Sequence, residues 1–285
     1  MTSLARIGRC LAVTAALALG PNALAPSASA QELRLFDAHL HYNQEAMSLY
    51  PLDKALEFFR RNGVTGILAT SRPNLGTNQL FESKPPGLWV VPFLRPYRVR
   101  SDVQTWSTDP AIFELIQTEY KRGYYRGIGE FHIYGQGAAA EIVRKTVAFA
   151  GQHDMWLHAH CDEPALVILF QHNPRAKIIW AHTGFTTPLV RVRELMDQHP
   201  GLIAEISYRS DITDGAGQVT AEWRELLARY SDRVVIGSDT WINERWFGYD
   251  TLMKNYRAWL AQLPADQAQR IAWGNAQRLF GPRGE

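Results

Sequence analysis

The sequence predicts an α/β chain folded as a single (β/α)8 TIM barrel without a flanking β-sandwich. Three observations lead there. A short apolar run followed by a helical pattern recurs eight times. Setting aside a 30-residue leader, 255 of the 285 residues remain, the usual length of one such barrel. Ionisable residues gather at the ends of five runs, and barrel enzymes build their sites at strand C-termini. Hydrophobic residues at 46% and charged residues at 20% exclude a disordered or collagen-like chain.

The leader comes first in chain order. Arg6 and Arg9, an apolar stretch over residues 11–20 and Ala28-Ser29-Ala30 are the three parts of a cleavable signal peptide over residues 1–30. The apolar stretch is shorter than the about 20 residues a bilayer span takes. Cys10 precedes it, whereas a lipidated cysteine would follow it, so no membrane anchor is expected. The expectation is a secreted protein starting at Gln31, periplasmic if the source is a diderm bacterium. Only Cys161 then remains, so no intrachain disulfide can form. Losing Arg6 and Arg9 from the 30 basic residues leaves 28 against 28 acidic ones. That balance gives no global reason to expect nucleic acid or a membrane surface as a partner.

Residues 31–285 carry no linker or repeat that would divide them. The predicted strands are Leu33–Ala38, Val64–Thr70, Leu88–Leu94, Gly127–Phe131, Met155–His160, Lys177–His182, Leu202–Ser207 and Val234–Asp239. Their near-continuous apolar character suits a parallel sheet covered on both faces. The segments between them have helical stripes: Leu52, Leu56 and Phe59; Ile112, Leu115, Ile116 and Tyr120; Leu189, Val192, Leu195 and Met196; Trp223, Leu226 and Leu227. Thr187 is expected to cap the helix that Pro188 opens. A doubly wound open sheet is the structural alternative.

The polar run ends read Asp37-Ala38-His39-Leu40-His41, Glu130-Phe131-His132, His158-Ala159-His160, His182-Thr183-Gly184 and Ser238-Asp239. Residues two apart in a strand point the same way, so His39 and His41 can share one ion. Imidazole and carboxylate suit zinc or a neighbouring first-row metal. Singly each signal is weak, but five together at one face of a barrel point to a metal. Gly135-Gln136-Gly137 fits a dinucleotide-loop pattern, yet the next run ends in His160 rather than an acid, so a tight turn is the better reading.

The set resembles the amidohydrolase superfamily of metal-dependent hydrolases, near its amidohydrolase-related and TatD-like branch. The likeness spans residues 39–280 and includes the tail Gly274-Asn275-Ala276-Gln277-Arg278-Leu279-Phe280. His39 lies only nine residues into the expected mature chain, which favours the sandwich-free branch. The resemblance implies a divalent metal, zinc by preference, as one or two ions on His39, His41, Glu130, His160, His182 and Asp239. Glu130 would replace the carboxylated lysine common elsewhere. His160 is favoured over His158 as the ligand from the fifth run. Asp239 would move the proton of the attacking water, and His182 would bind a second ion or the substrate oxygen.

Arg72, Arg95, Arg98 and Arg209 follow the second, third and seventh runs, and with Trp241 they are expected to hold an anionic small-molecule substrate. Trp246, Phe247 and Tyr134 could add an aromatic wall. The activity expected is hydrolysis of a lactone, ester, amide or phosphoester. The alternatives are a metal-dependent decarboxylase and a non-catalytic binding barrel. A homo-oligomer is compatible with the sequence.

Overall fold

A computed structural model describes residues 1–2 and 33–281, so the leader and its cleavage site lie outside the described residues. Eight parallel strands occupy the eight apolar runs: β1 Leu35–Leu40, β2 Val64–Ala69, β3 Trp89–Leu94, β4 Gly127–Ile133, β5 Trp156–Cys161, β6 Ile178–Trp180, β7 Leu202–Glu205 and β8 Val234–Val235. They neighbour one another in sequence order, with helices between them, as a (β/α)8 barrel requires. Beyond β8 the chain returns to β1 through two backbone bonds, Ala38 N–H to Ile236 O at 2.8 Å and Asp239 N–H to His39 O at 2.6 Å. This eight-stranded sheet is the only sheet among the described residues. No helix among them is long and apolar enough to cross a membrane.

The barrel interior is filled by Phe36, Leu68, Val91, Phe93, Ile179, Ile203 and Val235. The helix Asn275–Phe280 plugs its N-terminal end. The Phe280 ring lies 6.1 Å from Phe36, 5.9 Å from Phe93 and 5.6 Å from Trp156. A second, larger apolar layer joins the outer faces of the strands to the helix stripes. Ile112 and Ile116 are buried there, as are Leu189, Val192, Leu195 and Met196, and Trp223, Leu226 and Leu227. Of the first stripe, Phe59 is buried whereas Leu52 and Leu56 are half-covered.

The differences from expectation lie at strand ends. β1 starts and ends two residues later than the apolar pattern predicts, which brings His39 inside the strand. β6 ends at Trp180 because His182 and Thr183 take left-handed backbone angles, with φ of 56° and 45°. β8 is only two residues long, and Asp239 likewise has φ of 48°. Side chains near both strand ends are thereby turned from ladder positions toward the barrel mouth. Thr187 does not cap: the helix runs Leu189–Gln198 from Pro188, and the Thr187 hydroxyl donates to Gly184 O instead.

Candidate metal centre

Strand ends set the ligand positions. His39 in β1 and His41 just beyond it bring their Nε2 atoms to 3.1 Å. Glu130 enters from β4 and Asp239 from the segment after β8. His39 Nε2 is 3.4 Å from Glu130 Oε1 and 3.4 Å from Asp239 Oδ1. His41 Nε2 is 3.2 Å from Glu130 Oε2 and 3.0 Å from Asp239 Oδ1. All four side chains are buried.

Those separations can be tested against a metal. Ligand atoms about 2.0–2.1 Å from a tetrahedral ion lie roughly 3.3 Å from one another. The triangle of His39 Nε2, His41 Nε2 and Asp239 Oδ1, with edges of 3.0–3.4 Å, matches that spacing, and Glu130 approaches it with Oε1 toward His39 and Oε2 toward His41 at 3.4 and 3.2 Å. Without a cation the same packing would set two carboxylates within one small buried space, an arrangement that disfavours their joint ionisation.

A second group shares Glu130. Its Oε1 lies 2.8 Å from His160 Nδ1 and 3.6 Å from His182 Nε2, and His182 Nε2 is 3.8 Å from Asp239 Oδ2. His182 Nε2 is buried and has no hydrogen-bond partner. A buried imidazole nitrogen without a partner is costly unless something else occupies its lone pair. The residues therefore fit a second cation as well, with Glu130 between the two positions.

The remaining ring nitrogens are held from behind. His41 Nδ1 contacts the Thr70 carbonyl and lies 2.8 Å from Arg95 Nη1, which turns Nε2 to the ligand cluster. His39 Nδ1 lies 2.9 Å from Glu205 Oε2. Arg95 is buried and donates to Glu130 Oε2 at 2.8 Å and to the Glu130 carbonyl at 3.2 Å. Thr70 Oγ1 accepts from Glu130 N–H at 2.8 Å. Asp37 accepts from Ser238 N–H at 2.8 Å and from Tyr249 Oη at 3.0 Å, which pins the base of β1 to the chain before Asp239. Gly129 is needed for close approach: its φ is +127°, and a Cβ there would sit 2.2 Å from the His158 carbonyl oxygen.

Burial opposes charge on every group here, and the neighbours decide the outcome. Burial lowers the pKa of His39, but Asp239, Glu130 and Glu205 outweigh it and hold the imidazole well above its ordinary value. Burial raises the carboxyl of Glu130, yet His132 and His39 with the bond from His160 hold it well below the usual carboxylate range. Asp239 is depressed in the same way, against burial, by His39 and His41. His158, fully enclosed beside His39, is pushed well down by burial and stays neutral. Burial, too, brings His132 to about 3.

In the metal-free protein His39 thus holds a proton that a metal must displace. The sign follows: stability from a raised histidine is full below its unfolded value and is lost as pH rises through its folded one. Metal binding therefore strengthens with pH, by about tenfold per pH unit for each proton displaced. The gap in Tm between metal-loaded and chelated protein should widen from pH 6 to pH 8. A gap that is constant across that range would remove His39 from the ligands.

A cavity of about 750 Å³ opens above these groups, lined by Glu130, His160, His182 and Asp239 at its floor. Its walls include Arg72, Arg100, His132, Phe185, Tyr208 and Trp241. Of the four arginines expected there, Arg72 and Arg95 reach it. Arg98 does not; it pairs with Asp102 at 3.0 Å and Asp109 at 2.6 Å. Nor does Arg209, which is buried, pairs with Asp211 at 2.7 Å and donates to the Thr183 and Thr187 carbonyls. Trp241 lines the cavity, and its indole donates to Tyr208 Oη at 3.0 Å. Trp246 packs in the core against Tyr50 and Tyr249, Phe247 is exposed beside Tyr50, and Tyr134 stands 6.0 Å from the His160 ring. His158 sits below the cavity at 4.3 Å from the His39 ring, whereas His160 opens into it.

Sequence reasoning missed Arg100, His132 and Glu205. His132 was visible two residues after Glu130, and its ring stacks on His160 at 4.1 Å. Arg100 lies past the turn that carries Arg98. Glu205 closes the apolar run Leu202-Ile203-Ala204-Glu205, where a lone acid at a strand end was the available signal.

Fold and site together define a metal-dependent hydrolase on a barrel scaffold. The chain belongs to the amidohydrolase family, whose model matches residues 121–281. No curated protein matches it. Several solved structures share the fold. A candidate 2-pyrone-4,6-dicarboxylic acid hydrolase from Pseudomonas putida is 19% identical, with 89% of this chain and 99% of that one covered and a TM-score of 0.60. A zinc-bound amidohydrolase from Burkholderia multivorans is 16% identical, with coverage of 87% and 99% and a TM-score of 0.57. A TatD homologue from Escherichia coli K12 is 15% identical, with coverage of 88% and 99% and a TM-score of 0.60.

Proposed function

We infer that the protein is a secreted hydrolase that cleaves a lactone, ester, amide or phosphoester in an anionic small molecule, with one or two zinc ions at the barrel mouth. The observation that carries this reading is the 3.0–3.4 Å spacing of the His39, His41, Glu130 and Asp239 ligand atoms. The zinc in the Burkholderia multivorans amidohydrolase supports the choice of metal. A divalent cation held by these residues would supply a water-derived nucleophile near neutral pH and polarise the reacting oxygen. Asp239, its carboxyl held ionised, receives the proton of the attacking water and delivers it to the leaving group. His182 turns its unpartnered Nε2 to the same space, where it would hold a second ion. Arg95 keeps Glu130 in place rather than meeting substrate.

A non-reacting anionic group of the substrate would reach Arg100 and Arg72 on the cavity wall. Arg72 is shielded on one side by Glu45 at 2.5 Å, whereas Arg100 is exposed and lies 5.7 Å from the Trp241 ring. An arginine–carboxylate contact is worth on the order of 1.5–3 kcal/mol, about ten- to a hundredfold in affinity. An acidic substrate should therefore outperform its neutral methyl ester by that factor in kcat/KM, and Arg100→Met should narrow the difference. Equal rates for matched acidic and neutral analogues would remove the anion preference.

The experiment that tests the whole reading pairs metal titration of purified protein with a panel of lactones, esters, amides and phosphoesters. Turnover that disappears on chelation and returns with zinc is expected. Release of carbon dioxide without hydrolysis products would mark a lyase, and a loaded protein inert to every class would mark a binding barrel. Intact mass of exported protein starting at Gln31 tests secretion; recovery of the uncleaved chain would overturn it.

A further inference from the structure

Glu205 is fully buried at the end of β7, outside the cavity, yet four hydrogen bonds converge on its carboxylate. His39 Nδ1 is 2.9 Å from Oε2. His182 N–H donates to Oε2 at 3.1 Å, and the Ser207 hydroxyl donates to the same oxygen at 2.9 Å. Ser207 N–H donates to Oε1 at 2.6 Å. Once its proton is committed to Glu205, Ser207 Oγ can only accept, and His182 Nδ1 lies 2.9 Å from it. The Ser207 carbonyl, 3.2 Å from the same nitrogen, also only accepts. Both imidazoles thereby keep a proton on Nδ1, so that Nε2, once it has given up any proton of its own, offers its lone pair to the ligand cluster.

We propose that Glu205 is the positioning residue for both halves of the metal centre, fixing the tautomer of His39 directly and that of His182 through Ser207. The two histidines belong to different groups of ligand atoms, one with His41 and Asp239 and one with His160. Glu205 thus joins the two groups behind the ions just as Glu130 joins them in front. The chain is shaped around it: a Cβ on Gly237 would come within 2.7 Å of Glu205 Oε1. A carboxylate behind a ligating histidine raises the basicity of the ligand, and loss of such partners weakens metal binding by about ten- to a hundredfold.

The inference rests on His39 and His182 as ligands, and the test separates the two ideas. Zinc is titrated into chelator-treated wild type, Glu205→Gln and Glu205→Ala by calorimetry. In the zinc-loaded proteins, 15N-labelled histidine spectra report which imidazole nitrogen keeps its proton. Wild type that binds no zinc would sink the ligand assignment itself. With wild type binding, Glu205→Ala should bind each equivalent about ten- to a hundredfold more weakly. His39 should then populate both tautomers. Glu205→Gln keeps one acceptor oxygen and loses the charge, so it should fall between the two. A merely structural role would lower Tm without moving the tautomer. Wild-type zinc affinity in folded Glu205→Ala, with His39 still protonated on Nδ1, would overturn the proposal. Should Glu205→Ala not be recovered folded, wild-type affinity in Glu205→Gln would overturn it alone.

Discussion

Alanine at both His39 and His41 should abolish tight metal retention and lower kcat/KM by several orders of magnitude. The two Nε2 atoms are 3.1 Å apart, and each lies within 3.4 Å of Glu130 and Asp239. Removing both leaves two buried carboxylates with no cation between them. Loss of both imidazoles favours a proton on one of the pair, and Arg95, still 2.8 Å from Glu130, makes Asp239 the one to take it. What remains of the centre is Glu130, His160 and His182, with one imidazole open to the cavity. That set lacks the enclosed geometry of the first. Elemental analysis after dialysis reads the outcome, and near-UV circular dichroism shows whether the barrel persists. Phe36, Phe93 and Phe280 pack together toward the opposite end, with the His158 ring between Phe93 and the lost His39 ring. Wild-type metal content in a folded double mutant would overturn the assignment.

The barrel was legible because buried parallel strands and amphipathic helices write their periods directly into the chain. Ile112 and Ile116, or Val192, Leu195 and Met196, repeat at helical spacing, and all are buried. The site was legible where chemistry sits in strand-end motifs: His39 with His41, Glu130, His160, His182 and Asp239 all reach the barrel mouth. What was not legible depends on which partner a side chain takes, near in the chain or far from it. Arg98 and Arg209 read as site-facing from their loops, but Asp102, Asp109 and Asp211 claim their guanidinium groups. Asp102 stands at i+4 from Arg98, a spacing that permits the pair, but the sequence alone does not say whether the guanidinium takes it or turns to the cavity. Arg95 was placed at the mouth correctly, but its partner is Glu130, 35 residues away, rather than open space. Left-handed backbone at His182 and Asp239 was equally hidden, since histidine and aspartate are only enriched in that region and their type does not place it at a given position. Glu205 shows the limit best. A single acid ending an apolar run has no motif, and its meaning appears only when His39, 166 positions earlier, is set beside it.

Asp239→Asn should retain metal within about tenfold and lose about two to four orders of magnitude in kcat, the usual contribution of a positioned proton acceptor. Asparagine has the shape of aspartate, and its carbonyl oxygen can still sit where Oδ1 now faces His41 Nε2 at 3.0 Å. The backbone is held independently of the carboxylate. Asp239 N–H donates to His39 O, and Arg245 donates to the carbonyls of Asp239 and Ser238 at 3.3 Å and 2.5 Å. What the amide cannot do is accept a proton from the attacking water. The carboxyl is depressed in the folded protein, opposed by burial but favoured by His39 and His41, so it stays ionised and available through the neutral range. Its weak basicity suits passing the proton on to the leaving group rather than keeping it. The measurement is kcat for metal-loaded Asp239→Asn, with metal content determined on the same sample. A large fall in kcat at full metal content assigns proton transfer to Asp239. A kcat within tenfold of wild type at full loading would reduce it to a ligand, and His182 would then be the next residue to test as the proton carrier.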